Sequence, residues 1–191
     1  MARLVYAGIT SLDGYTVDAE GRFDWATPPA DVHAHVNAAE RSIGTYLYGR
    51  RLYETMAGWQ TLGTEPGAVP EVRDYGELWR AADKVVYSST LDDVWTPRTR
   101  LERSFDPARI RAMKDAADAD LSVGGATLGA AALRAGLVDE CAVYVAPVVV
   151  GGGTRWLPDG LRLRLRLRPL DEQRFSGDMV SLRYAVGPWA G

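Results

Sequence analysis

The stretch from Asp120 to Pro158, DLSVGGATLGAAALRAGLVDECAVYVAPVVVGGGTRWLP, places a Gly-Gly bend where an apolar strand gives way to a small-residue helix. Leu121 to Val123 reads as the strand and Ala126 to Ala135 as the helix, with Gly124 and Gly125 between them. No side chain at the bend would keep a ligand from the backbone. The free N–H groups and the positive dipole end of the helix, from Ala126 through Thr127 to Leu128, would face it and favour an anion. The same junction also serves where close packing alone is needed, so both readings stand until other segments are weighed.

Outward from that stretch, strands and helices alternate. Leu4 to Thr10 is an apolar strand ending in the turn Ser11-Leu12-Asp13-Gly14-Tyr15, followed by a loop to Pro29. Pro28-Pro29 then precedes a helix from Asp31, with Val32, Val36 and Ala39 at helical intervals. Thr45–Tyr48 is the second strand, Gly49 a bend and Arg50–Trp59 a helix. Gly58 to Pro70 reads as a surface loop, and Lys84–Ser88 is the third strand. Pro107–Ala117 is a helix, Leu121–Val123 the fourth strand and Glu140–Val149 a long apolar strand. These imply one α/β domain over residues 1–191 with an open, largely parallel sheet. The strictly alternating Leu161 to Arg168 and the run Met179 to Val186, around the turn Ser176-Gly177-Asp178, add two antiparallel strands. Period two puts the leucines inward and the arginines together on a solvent or interface face.

Composition bounds the function. A chain of 191 residues with net charge −3 and pI near 5.4 offers no global attraction to nucleic acid or anionic membranes. The single cysteine, Cys141, in an apolar setting, excludes a disulfide framework and a cysteine-rich zinc site, and points to an intracellular, cytoplasmic protein. No apolar run approaches the roughly 18 residues of a membrane span. His33 and His35 are two apart on their helix and do not share a face, so no metal site is expected.

Three strand ends carry matching chemistry: Gly49-Arg50-Arg51, Ser88-Ser89 and Gly124-Gly125. Ligands of open α/β sheets sit at the carboxyl ends of strands. Two arginines and two hydroxyls suit the 2′-phosphate of NADPH, with the Gly-Gly bend taking the pyrophosphate. Singly, each has a plainer reading, as solvated arginines or an ordinary strand exit.

In this order the motifs TYLYGRRLYETM, VVYSSTL and DLSVGGATL resemble the dihydrofolate reductase-like superfamily. SLDGY and LVDECAVYVAPVVVGGGTRWLP are similar to its branch containing the reductase domain of the bifunctional riboflavin-biosynthesis deaminase/reductase. The resemblance implies a three-layer sandwich, a mostly parallel central sheet with antiparallel C-terminal strands, and a homodimer joined partly through those strands. It also implies NADPH-dependent hydride transfer to a pteridine- or pyrimidine-like heterocycle, with 5-amino-6-(5-phosphoribosylamino)uracil reduction as one pairing. Two departures weigh against folate reduction: Gly129 stands where folate reductases carry an aromatic residue, and Leu52 replaces a hydroxyl residue.

Asp13 and Asp31 are the candidate catalytic carboxylates. Asp31 matches the folate branch's pterin-anchoring position and would equally serve as a helix N-cap, and Asp13 would equally serve as a turn residue. Among the six tryptophans, Trp25 is the candidate against substrate, the others reading as packing or interface residues. The alternative functions are a dinucleotide-binding sensor without turnover, or dihydrofolate reductase itself. No zinc deaminase partner domain is expected.

Overall fold

The computed structural model describes residues 1–162 and 164–188; Leu163, in the alternating run, and Trp189, one of the six tryptophans, lie outside the described residues. Its centre is an eight-stranded sheet in the order β5-β4-β3-β6-β1-β7-β10-β9. The strands are β1 (Leu4–Ser11), β3 (Ile43–Gly49), β4 (Asp83–Tyr87), β5 (Thr99–Glu102), β6 (Asp120–Gly124), β7 (Glu140–Ala146), β9 (Leu165–Arg174) and β10 (Val180–Pro188). The six strands from β5 to β7 are parallel, and β10 and β9 close the sheet antiparallel. A separate two-stranded ribbon joins β2 (Tyr15–Val17) to β8 (Thr154–Arg155). Among the described residues the α-helices are α1 (Ala30–Glu40), α2 (Arg50–Met56), α3 (Pro70–Ala81), α4 (Pro107–Ala116) and α5 (Ala126–Arg134).

Strand alternation divides the core between the two faces. Leu4, Tyr6, Leu47, Val85, Leu121 and Val123 pack beneath Ile110 of α4 and Leu128, Ala132 and Leu133 of α5. Tyr46, Tyr48 and Val86 point the other way, to Tyr75 and Trp79 of α3 and Tyr53 of α2. A third cluster sets Val32 of α1 against Tyr144, Ala146, Phe175 and Met179. Helices on both faces of one sheet make three layers. Trp79 is fully buried, donates from Nε1 to the Tyr48 hydroxyl at 3.2 Å and lies under the Lys84 ammonium at 4.3 Å. Truncating such a residue costs about 3–5 kcal/mol.

Several expectations are corrected here. The loop to Pro29 contains β2 and a 3-10 turn at Asp24–Ala26. Between the third and fourth expected strands lies β5, and α2 stops at Met56 and continues as a 3-10 turn, Ala57–Gln60. The supposed loop ending at Pro70 is shorter, because that proline opens α3. β7 ends at Ala146, where Pro147 removes the next N–H. β9 starts four residues later than the alternation suggested and runs to Arg174. Leu161 and Leu165 do pack on the first cluster, but Leu167 and Leu170 are 46% and 41% exposed.

Candidate functional site

Parallel pairing brings the carboxyl ends of β4, β3, β6 and β1 to one side of the molecule. Tyr87 lies beside Gly49, and Gly124 beside Tyr48, so three of the expected ligand-holding bends sit at nearly one level. After β3 the chain turns toward α2, α3 and β4; after β6 it turns the opposite way, through α5 to β7. This divergence between neighbouring strands is where open α/β sheets form clefts.

β1 continues beyond that level. Its pairing with β6 stops at Tyr6, whereas its pairing with β7 continues to Ser11. The Arg3 carbonyl accepts from Leu121 N and the Leu4 carbonyl from Asp139 N, so odd-numbered residues address β6 and even-numbered ones β7. From the Ala7 carbonyl through Ile9, the β6-facing backbone therefore has no strand partner. Burial follows the same outline: Leu4–Tyr6 are buried, Ala7, Gly8 and Ile9 half-buried, and Thr10 and Ser11 buried again.

The two glycines of the bend differ. Gly125 adopts φ +92° as the residue preceding α5, and a side chain there would meet only Leu52 Cβ at 3.9 Å, so its requirement is conformational and its surroundings are open. Gly124 is a packing glycine, since a Cβ would run into Leu52 Cδ2. The expectation that both glycines clear space for a ligand is thus corrected for Gly124, whose space Leu52 fills. Gly129 N bonds to Gly125 O in the ordinary helical manner, which leaves the N–H groups of Ala126, Thr127 and Leu128 at the open start of α5. The Tyr6 ring occupies the space at Gly129 that a side chain there would need.

Arg50 and Arg51 open α2 and are exposed; Arg50 pairs loosely with Glu54 at 3.8 Å, and Arg51 has no ion pair among the described residues. Ser88 is 9% exposed and its Oγ accepts from Thr90 N and Leu91 N at 3.2 and 2.9 Å, so it closes its own turn. Ser89 is exposed at the same strand end.

Asp13 and Asp31 are both committed to backbone contacts. Asp13 accepts from Val150 N at 3.2 Å and Gly151 N at 2.8 Å, latching the turn after β1 to the loop after β7. Hydrogen bonding from Ser11, then from the Gly151 and Val150 amides, holds its carboxyl below the usual range. Asp31 is the second residue of α1, and the N-cap is Pro29, which corrects the N-cap reading. Its oxygens accept from Ser176 N and Ser176 Oγ at 2.7 Å each, and these contacts hold its carboxyl low as well. Trp25 is half-buried and packs against the third cluster.

Sequence reading missed the Tyr6–Trp156 pair. The two rings stack at 4.8 Å and 18°, and the Tyr6 hydroxyl donates to the Trp156 carbonyl at 2.6 Å. Trp156 follows β8, and its amide donates to Gly14 O. Gly8 and Gly129 were the available signal: a side chain at either would collide with one of these rings.

Fold and strand-end geometry together define a dihydrofolate reductase-like α/β protein whose strand connections diverge at the carboxyl edge of its sheet, between β3 and β6. The RibD C-terminal domain model matches residues 2–181, and the chain belongs to that family. It is 24% identical over 182 residues to the uncharacterized protein YyaP of Bacillus subtilis, covering 95% of this chain and 94% of that one. It is 30% identical over 148 residues to the riboflavin biosynthesis protein RibD of Mycobacterium tuberculosis, covering 75% of this chain but only 41% of RibD. Among solved structures, a putative riboflavin biosynthesis protein from Shewanella sp. PV-4 superposes with TM-score 0.76 at 19% identity, over 97% of this chain and 99% of that one. Dihydrofolate reductase from Enterococcus faecalis, complexed with NADP(H), superposes with TM-score 0.62 at 16% identity, over 96% of each chain.

Proposed function

We propose that this protein is an NADPH-dependent reductase of a small pyrimidine- or pteridine-like heterocycle. The observation carrying this reading is the row of strand ends from β4 to β1: Ser89, then Arg50 and Arg51, then Gly125 with the start of α5, then the open edge of β1. Those ends span three strand spacings, roughly 14 Å, a length suited to an extended dinucleotide. The residues fit the group: exposed cations for a phosphate monoester, free helical N–H groups for a pyrophosphate, and unpaired backbone for a planar amide.

When bound, NADPH supplies a hydride to an electrophilic C=N or C=O carbon and leaves as NADP+, while a proton from solvent completes the reduction. Arg51, without an ion pair among the described residues, would hold the 2′-phosphate with Arg50 and Ser89. The N–H groups of Ala126, Thr127 and Leu128 neutralise the pyrophosphate. Asp13 and Asp31, with low proton affinity, accept hydrogen bonds from substrate amines or hold a proton-carrying water; neither is a proton store at neutral pH. Trp25 and Ile9 bound the substrate from the α1 side. Family membership supports 5-amino-6-(5-phosphoribosylamino)uracil as the first substrate to try, and such chemistry belongs in the cytoplasm.

A homodimer is part of this reading. Val143, Val145, Leu182, Tyr184 and Val186 are only half-buried, and Leu167 of β9 is exposed, on a part of the sheet that the α4–α5 cluster leaves partly uncovered. A second copy of the chain is the occupant we assign to it. The commitment of both aspartates to backbone contacts favours one second reading, a dinucleotide sensor without turnover.

Titration with NADPH, followed by NADPH consumption with a panel of aminopyrimidines and pterins, tests the proposal. Micromolar binding with oxidation by one heterocycle is expected. Binding without oxidation by any of them favours the sensor, and no binding at all defeats both.

A further inference from the structure

We infer that Trp156, stacked on Tyr6, forms the wall of the cofactor slot beside the open edge of β1, and that its indole N–H is a donor to the bound nicotinamide's polar substituent. This rests on the reductase reading above. Three observations on this chain carry it.

The slot has sides of different origin. Even-numbered residues of β1 face α4 and α5, and odd-numbered ones face α1; Tyr6 belongs to the first cluster and Ile9 borders the third. At Gly8–Ile9, beyond the end of β6, Ile9 lies on the α1 side. The α5 side is bounded by Trp156, whose Nε1 and Cδ1 would lie 3.0 and 3.1 Å from a side chain at Gly8. Gly8 thus admits the indole directly against the strand at the level where the backbone opens.

Trp156 is also held unusually well for a residue after a two-residue strand. It is 9% exposed, stacked on Tyr6, bonded through its carbonyl to the Tyr6 hydroxyl and through its amide to Gly14. Gly129 in turn makes room for Tyr6. Two glycines on different elements therefore yield to one aromatic pair. A wall fixed in this way restricts how far a flat ring can tilt in the slot, which is how a reductase keeps the reacting carbon toward its substrate.

The third observation is chemical. Trp156 Nε1 is buried and has no hydrogen-bond partner. An indole N–H at an apolar site ordinarily finds an acceptor, because leaving it unmade costs the desolvation of the donor. The indole lies over Gly8, which is flanked by Ala7 and Ile9 on the β6-facing edge of β1, and a carboxamide bound along that edge brings an acceptor to the same corner. Trp156 is a positioning residue here; it carries no electron or proton.

The test compares NADPH with 2′,5′-ADP, which has the adenine half alone. W156F should keep the stacked ring, lose the donor and weaken NADPH about tenfold, with 2′,5′-ADP unchanged. It should also reduce energy transfer from tryptophan to bound dihydronicotinamide. G8A, which presses a methyl on the indole and leaves Trp156 itself unchanged, should reproduce the selective NADPH loss and keeps the idea testable where W156F is poorly folded. Equal losses for both ligands, or unchanged NADPH affinity in both variants, overturn the inference while leaving the reductase reading intact. A wild-type protein that binds neither ligand ends that reading and this one with it.

Discussion

Asp31, in the first turn of α1, and Ser176, in the turn between β9 and β10, are joined twice: both the amide and the hydroxyl of Ser176 donate to the Asp31 carboxylate at 2.7 Å. One carboxylate thereby closes the start of a helix onto the antiparallel end of the sheet, 145 residues away in sequence.

Asp31→Asn should lower Tm, because an amide cannot accept from both donors through both of its atoms. Hydrogen bonding depresses the folded-state pKa of Asp31, so its stabilisation is present above the unfolded value of 3.8 and is lost as pH falls through the depressed one. The Tm difference between wild type and variant should therefore shrink on acidification. A variant with unchanged Tm and abolished turnover would assign Asp31 to catalysis alone.

Glu40 gives the opposite pH dependence. It ends α1 with Oε2 buried and unpartnered; burial pushes its carboxyl up to about 7, against a smaller downward pull from Tyr46. Between 4.5 and 7 the unfolded chain releases this proton and the folded chain keeps it, so stability falls as pH rises through that window. Glu40→Gln should be nearly silent at pH 5 and stabilise by on the order of 2 kcal/mol at pH 8. Denaturant titration at the two pH values measures it.

Arg50→Ala and Arg51→Ala should weaken NADPH by about tenfold or more each and leave NADH nearly unchanged, with the larger effect at Arg51, whose guanidinium is not shared with Glu54. Equal losses for the two dinucleotides would remove the arginines from the 2′-phosphate.

The bend glycines should separate by mechanism. Gly125→Ala imposes φ +92° on a side-chain-bearing residue and should cost about 1–3 kcal/mol. Gly124→Ala clashes with the flexible end of Leu52 and meets the Tyr48 ring only at ordinary contact distance, so the double variant with Leu52→Ala should recover much of its loss. Equilibrium unfolding of the three variants decides this.

Lys114→Met tests the opposite end of the sheet. Its ammonium is buried, donates to Leu137 O at 3.0 Å and pairs with Asp139 at 2.5 Å. Asp139 keeps 40% of its side chain in water and also accepts from Leu4 N, so the orphaned carboxylate is rehydrated and the loss should be about 1–3 kcal/mol. A wild-type midpoint in urea would show that the buried ammonium's hydration cost balances its contacts.

Legibility in the sequence followed the length of each signal. The parallel strands and most helices were readable because apolar runs and Pro or Gly punctuation span several residues. β2 and β5 were not, since YTV and TRLE are too short and too polar to show a period. The alternating Leu161–Arg168 misled on register, which is set by pairing with β10 and by an irregularity at Arg183/Tyr184 that leaves Leu170 without an opposite residue. At the strand ends, Arg50, Arg51, Ser89 and Gly125 were legible as residue types after strands. The Leu52–Gly124 contact, the Ser176 clasp and the Tyr6–Trp156 stack join segments far apart in the chain, and no local pattern announces them.

The early stop of β6 beside the longer β1 makes the carboxyl edge of the sheet a terrace, its step measured in residues of strand. Such a feature is drawn by main chain and needs no particular side chain along its tread. It can persist while side chains drift. Lengthening β6 alongside Gly8–Ser11, the residues by which β1 outruns it, would level the terrace and erase the recess.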